Sequence, residues 1–402
     1  MSNSGFSPTI IYNYITPSAG LSLTSGTAAL AVTGVTAGTY GDSTHAVQLT
    51  INANGYITVA SNSTLTATAQ SNGWKNRFIN GGMQIAQNNN VVLPVSTVTR
   101  GGCDRFVHVT GGAAGGLVTN SGTLSQAAVS WSSSGYAQKI GNFTTGTATD
   151  TLYIMQRIEQ ANISDLNGKT VVVSGKFFQD TGATVSSINI EFAYLSGGVG
   201  QTLDDWSSLF GTFTSMGSFS AASGTAVSFS GTTTLGTADA NYGLGMFLII
   251  PVAANVTAKN YYIADLQLEV GTAATALEMR PVGMELQLCQ RYLPAYNHIG
   301  GGSSVRGQIT TATNARITYP FTVPARIAPT GILAGTTANF VVYGNAAGGN
   351  IPTAVSFSAA STIAADVNFT VTSDTTIVAG NATLLTGAGA TTVKMLFTGC
   401  EL

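Results

Sequence analysis

The chain predicts an all-β protein, and three observations carry that prediction. Thr, Ser, Val, Ile, Gly and Asn dominate nearly everywhere along its 402 residues. β-branched side chains suit a pleated surface because their stiff χ1 preference costs little there. Strand-like runs recur between Gly/Asn/Ser turns, the punctuation of sandwiches and barrels. The third observation is a hydrophobic fraction of 44% beside only 8% charged residues, where an ordinary soluble domain carries roughly 25%. Such a chain collapses around a core and does not stay disordered through charge repulsion.

The predicted strands are Ala46 to Ile51, Gly55 to Ala60, Thr170 to Phe178, Ser187 to Leu195, Gly245 to Ile250 and Thr391 to Phe397. Asn54-Gly55 is the clearest hairpin turn, since a type I′ turn needs two residues that tolerate positive φ. The longest apolar stretch, Leu244 to Val256, contains Pro251. It is shorter than the ~20 residues of a membrane-spanning helix, so a buried strand is expected there. Two stretches break the β pattern. Tyr153 to Leu166 reads as a strand edge followed by a short helical turn. Val282 to Tyr292 places Met284, Leu288, Cys289 and Tyr292 at helical spacing just after Arg280-Pro281, and predicts a short helix.

Charge marks three parts. Asp42 is the only charged side chain from Met1 to Trp74. Lys75 and Arg77 open a central segment of ordinary composition. Beyond Arg326 only Asp366, Asp374, Lys394 and Glu401 are charged. The predicted organisation is an N-terminal β segment (1–74), a central domain (75–297) and a C-terminal β domain (298–402). The glycine run Gly300 to Gly302 lies just after the second boundary.

The same arithmetic excludes several classes. A net charge of −2 gives no basic face for nucleic acid and no cationic arm for anionic lipid. Cys103, Cys289 and Cys400 are odd in number and far apart, which is no disulfide framework. The N-terminus has no basic region before its short apolar patch, so no signal peptide and no membrane insertion are expected. Nearly uncharged β segments also lack the lysines and inward charges that keep sheet edges from pairing with foreign strands. Edges closed by sister copies remove that hazard, so an obligate homo-oligomer, a homotrimer above other numbers, is expected.

Motifs for chemistry are sparse. His45, His108 and His298 show no metal-ligand spacing, and no metal or cofactor is expected. Neither a G-x-S-x-G elbow nor a phosphate-cradling G-x-x-x-x-G-K-[ST] loop occurs. Asp204-Asp205 beside Trp206 is the one acidic pair next to an aromatic. Paired carboxylates can hydrolyse glycosides, but a solvated turn or a simple sugar contact is the better reading. Trp131 and Tyr136, within WSSSGY, form a second aromatic loop cluster, with core packing as the competing role. Arg280, Arg291, Arg306, Arg316 and Arg326 read as partners of acids such as Glu278 and Glu285, or of neighbouring chains.

Three passages resemble bacteriophage fibre proteins. Gly38, Thr39, Tyr40, Gly41, Asn54, Gly55, Ile57 and Asn62 match a tail-fibre motif whose usual arginine is Tyr56 here. Asn76 to Gln87 with Cys103 to Phe106 is similar to the opening of a fibre-associated domain, with Asn88 and Phe106 departing from it. Its closing signature is matched by Gln267, Leu268, Glu269, Gly271, Thr275, Glu278, Arg280, Pro281, Glu285, Cys289, Gln290, Arg291 and Tyr292. Gln156 to Glu159 and Leu166 to Thr170 resemble its middle. The resemblance covers Ala37 to Leu293 and implies a virion appendage with a carbohydrate-binding-module-like jelly roll at its centre.

From this follows the expected function: a structural, non-enzymatic tail-fibre protein. Its N-terminal segment would join other virion proteins, and distal β domains would contact host-surface glycan or protein. A capsid-attached head fibre or decoration protein would use the same modules, and a polysaccharide depolymerase would need Asp204 and Asp205 as acids. Location in a phage particle assembled in the host cytoplasm is expected. Native mass measurement at micromolar concentration should return a trimer, and a clean monomer would overturn the edge argument.

Overall fold

The computed structural model describes residues 21–24, 27–30, 34–42, 45–53, 56–64, 74–94, 98–110, 122–181, 187–196, 214–298, 305–344, 349–372, 377–389 and 393–401. The chain forms two compact units, Met1–Gln70 and Ser71–Leu402.

In the first unit, Leu21–Thr24 pairs with Thr27–Leu30, and His45–Ile51 pairs antiparallel with Ile57–Thr64. The expected Asn54-Gly55 turn residues lie outside the described ones. Matched fibre-motif residues hold this hairpin's entry. Gly41 donates its N–H to Asn62 Oδ1 at 2.9 Å, and Asp42 caps the His45 ring at 2.9 Å. Gly41 has φ +84, and a Cβ there would lie 2.7 Å from Val47 Cγ2, so glycine is required on two counts. Val47, Leu49, Ile51, Ile57 and Val59 are exposed, Ile51 at 60%. A two-stranded hairpin with bare apolar residues is marginal in water on its own.

The second unit begins with a sandwich of two six-stranded antiparallel sheets. Edge to edge, one sheet runs Thr214–Ala222, Ser187–Ser196, Leu244–Val252, Asp150–Ile158, Val107–Thr110, Thr99–Arg100. The other runs Val227–Thr234, Thr170–Gln179, Lys259–Val270, Tyr136–Phe143, Gly122–Ala128, Val91–Leu93. Successive strands cross repeatedly between the sheets, which is jelly-roll connectivity. Period-2 alternation puts Val171, Val173 and Phe177 inward with Ile140, Tyr261, Ile263, Leu152, Ile154, Leu248 and Ile250. Asp150–Ile158 is an interior strand, not an edge, and two 3₁₀ turns, Gln160–Asn162 and Ser164–Leu166, follow it. Pro251 is tolerated in Leu244–Val252 because the Ser187–Ser196 ladder stops at Ile249, leaving only Thr151 opposite it.

The chain closes this sandwich with a buried polar clamp. The loop from Asn76 to Gln87 has no regular structure, so its backbone groups need side-chain partners. Asn76 Oδ1 accepts from Phe78 N and Leu268 N at 3.0 and 3.1 Å, and its Nδ2 donates to Leu266 O at 2.9 Å. Gln156 brackets Ile79, accepting from its N–H at 2.8 Å and donating to its carbonyl at 2.7 Å. Asn80 Nδ2 donates to Ile85 O at 2.8 Å. Glu285, on the helix Val282–Gln290, accepts from Asn80 N and pairs with Arg280 at 3.2 Å. Arg280, 8% exposed, donates to Phe78 O at 2.9 Å and to Asn76 O. A Cβ on Gly81 would sit 2.1 Å from Leu266 O, so the loop approaches the sheet as closely as backbone can.

A second sandwich follows the helix. Its larger sheet runs Gly349–Asn350, Phe340–Tyr343, Ala382–Gly387, Val305–Thr311, Asn314–Pro320, Ala364–Thr370, Ala354–Ala360. Facing it are Ala295–His298, Val393–Thr398 and Gly331–Ala334. Ile309, Ile317, Tyr319, Phe340, Phe369, Met395 and Phe397 fill the core between them. This sandwich rests on the first: Arg326 N donates to Arg291 O at 2.7 Å and Lys394 Nζ to Gln87 O at 3.0 Å. The three cysteines are buried free thiols.

Glu285→Ala would leave the Arg280 guanidinium buried without its carboxylate. A loss of about 3–5 kcal/mol in unfolding free energy is expected, against less than about 0.5 for Arg316→Ala on an exposed strand face. Equal midpoints in denaturant would contradict the clamp. Burial also lowers His108 to about 3 and His298 to about 4. The unfolded chain protonates both near pH 6.5, so below that pH it binds more protons than the folded chain and stability falls as pH falls. Each histidine contributes up to about 1.4 kcal/mol per pH unit until its folded pKa is reached. Melting curves from pH 7 to 4 should fall less steeply in His298→Gln than in the parent; identical slopes would remove this histidine from the acid response.

Candidate functional site

Paired aromatics in strands betray a surface. In Thr170–Gln179, Phe177 points inward and Phe178 outward; in Lys259–Val270, Tyr261 is buried and Tyr262 half-buried on the outer side. Phe178 and Tyr262 are directly opposite in the ladder and meet edge to face with centroids 5.5 Å apart. Trp131 lies over Phe178 at 6.0 Å with an interplanar angle of 22°. Lys139 Nζ stands 5.8 Å from the Tyr262 ring. Burial, with a smaller push from Asp180, raises the Tyr262 pKa, which keeps its phenol neutral and able to donate.

The loop carrying Trp131 is fastened by charge. Lys259–Val270 contains a bulge opposite Ser174 to Lys176, and Asp265 adopts φ +55 within it. A bulge re-aims a side chain, here turning the Asp265 carboxylate to the outer face. It accepts from Ser133 N at 2.8 Å and Ser133 Oγ at 2.8 Å, and pairs with Lys176 at 2.9 Å. Lys176 Nζ also donates to Trp131 O at 2.9 Å. One ion pair therefore holds both ends of the Trp131–Ser133 segment against the sheet. Beside it opens a cleft of about 400 Å³ lined by Ser133, Lys176, Asp265, Ser228, Ser230 and the 274–277 segment, within the usual range for small-molecule sites. Hydroxyls, an ammonium, a carboxylate and a row of aromatic rings make up this face, the mixture that polyhydroxylated ligands match.

Of the residues singled out from sequence, Trp131 sits at one end of this row, half-buried and stacked on Phe178 rather than in the core. Tyr136 is 39% exposed at the far end of the same loop, with its N–H bonded to Ser134 Oγ at 3.1 Å. Asp204, Asp205 and Trp206 lie outside the described residues. Sequence reasoning missed Phe178, Tyr262, Lys176, Asp265 and Ser133. The doublets Phe177-Phe178 and Tyr261-Tyr262 were the available signal, because neighbours in a strand face opposite ways. Among the described residues no group of His, Cys, Asp and Glu is arranged to hold a metal ion, and no helix is long and apolar enough to cross a membrane.

No protein-family model matches the chain, and no curated protein does. Solved structures similar to it include a family 61 carbohydrate-binding module in complex with β-1,4-galactotriose, at 8% identity and a TM-score of 0.27, covering 49% of this chain and 100% of that one. Another is the C-terminal family 22 carbohydrate binding module of Clostridium thermocellum Xyn10B, at 12% identity and a TM-score of 0.28, covering 42% of this chain and 88% of that one. The xylan-binding CBM22-2 domain of Paenibacillus barcinonensis Xyn10C is similar at 10% identity and a TM-score of 0.26, covering 40% of this chain and 94% of that one. The chemistry available to this chain is that of its own outward face.

Proposed function

We propose that the chain is a non-catalytic, glycan-binding subunit of a bacteriophage fibre, assembled as a homotrimer and joined to the particle through its N-terminal segment. The fibre role is supported by the three sequence passages that resemble fibre proteins. Residues of the opening, middle and closing signatures meet in one buried clamp: Asn76, Asn80, Gln156, Arg280 and Glu285. The exposed apolar residues of the His45–Ile51/Ile57–Thr64 hairpin favour cover by sister chains. Weak sugar contacts gain avidity when several copies act together.

The observation that carries glycan binding is the outward row Trp131–Phe178–Tyr262 beside a polar cleft. A pyranose ring presents an apolar face to stack on such a row and equatorial hydroxyls to Ser133, Lys176 and Asp265. Asp265, the carboxylate at the cleft, is held in place by Lys176 and Ser133, an arrangement that fixes a hydrogen-bond acceptor there.

Trp131→Ala and Tyr262→Ala should each weaken binding in a host-glycan array or affinity electrophoresis by roughly tenfold or more while leaving the circular dichroism spectrum unchanged. Undiminished binding in both would move the site elsewhere. Incubation with host polysaccharide should release no new reducing ends; their appearance would establish a depolymerase.

A further inference from the structure

Away from the aromatic face, a small cavity of about 40 Å³ lies where the two sandwiches meet. Three arginines line it, Arg100, Arg105 and Arg157, together with two acids, Asp104 and Glu401, and with Asn88, Tyr292 and Thr398 among the other walls. The arginines arrive from different places. Arg100 ends a short strand, Arg157 sits in the interior strand Asp150–Ile158, and Arg105 belongs to the connection between Cys103 and Val107. Three cations against two acids leave the wall of this poorly solvated space net positive, and an anion shared between the arginines relieves their repulsion.

Arg105 is the most constrained of the three. Its backbone takes φ +78, a conformation that costs energy in a non-glycine residue and recurs at ligand sites. The guanidinium lies flat over the Tyr292 ring, 3.4 Å from its centroid, and Nη2 donates to Arg157 O at 2.7 Å. Its buried Nε–H has no hydrogen-bond acceptor among the described residues. Burial first, then Arg100 and Arg105, lowers Arg157 to about 10.

The acids here, Asp104 and Glu401 in the wall and Glu159, whose charge also acts on Arg105, each have other partners as well. Asp104 accepts from Gln87 N and Nε2 at 2.7 and 2.6 Å. Glu401 Oε2 accepts from Gly399 N at 2.7 Å. Glu159 pairs with Arg291 at 3.2 Å and faces Arg326 at 3.9 Å. Arg100 and Arg157 have further interactions of their own; what marks the site is the convergence of three cations and the open Nε–H of Arg105. The cavity exceeds the roughly 10–15 Å³ that one water needs, and planar guanidinium forks fit the edges of a tetrahedral oxyanion.

We propose that this cavity binds one small inorganic oxyanion of the phosphate or sulfate class, which ties the jelly roll to the second sandwich. Thr398 and Glu401 come from the second sandwich and the arginines from the first, so an anion here is shared by both. The site is independent of the glycan face, and failure of either leaves the other standing.

Isothermal titration of the full chain in chloride buffer with inorganic phosphate, then with sulfate, should give one saturable site per chain. Melting in phosphate should be about a few degrees higher than in chloride at equal ionic strength, because a ligand that binds only the folded state stabilises it. Arg100→Met and Arg157→Met should each weaken phosphate roughly ten- to a hundredfold, the scale of one charge-assisted hydrogen bond. Glucose 6-phosphate, too large for the cavity, should not bind. No saturable heat from either ion at millimolar concentration would overturn the proposal on the parent protein alone, whatever the variants do. Affinities unchanged in both variants would also overturn it, and so would a sugar phosphate that binds as tightly as the free ion.

Discussion

The Arg280–Glu285 pair and the asparagines it organises are the constraint on which the central fold depends. A loop of twelve residues lies against the sheet between Asn76 and Gln87 with no ladder to satisfy its backbone. Buried peptide groups without partners are expensive. Asn76, Asn80, Gln156, Arg280 and Glu285 supply those partners from three separated places in the chain. Because each is itself buried, losing one strands a desolvated partner: a charge in the case of Arg280 or Glu285, a peptide group in the case of the amides.

The clamp also sets up what lies around it. It seats the helix Val282–Gln290 against the loop, and that helix delivers Tyr292 to the junction where Arg105 stacks. On the outer face, Asp265 precedes Leu266, whose carbonyl receives Asn76. The bulge that turns Asp265 outward toward Lys176 and Ser133 is thus adjacent to the point where the loop presses on the sheet. One side of this strand seals the core and the other builds a polar cleft.

Much of the architecture was legible from local pattern. The Thr/Val/Ile runs foretold Thr170–Gln179, Ser187–Ser196 and Leu244–Val252 to within two residues at either end. Helical spacing after Arg280-Pro281 foretold Val282–Gln290. Tyr153 to Leu166 was legible as strand and helical turn, but its strand reads like an edge because its charged residues sit among apolar ones. Arg157 and Glu159 are in fact buried, and Glu159 takes its partner Arg291 from far along the chain. Trp131 stood out as a large aromatic in a serine-rich loop. Phe178 and Tyr262 did not, since an aromatic in a strand looks the same whichever way it faces until its neighbour is considered.

Strand content, the helix and the scarcity of charge follow from short stretches of the chain, because propensity and period act between neighbours in sequence. Which carboxylate meets which guanidinium follows from none of them. Glu278 and Glu285 were both candidate partners for Arg280, yet Glu285 takes the arginine while Glu278 receives the N–H groups of Lys75 and Asn76. The same holds for the row of three rings and for the convergence of Arg100, Arg105 and Arg157. Each depends on sheet register and on the closing of loops dozens of residues long, and those are settled by the collapse of the whole core.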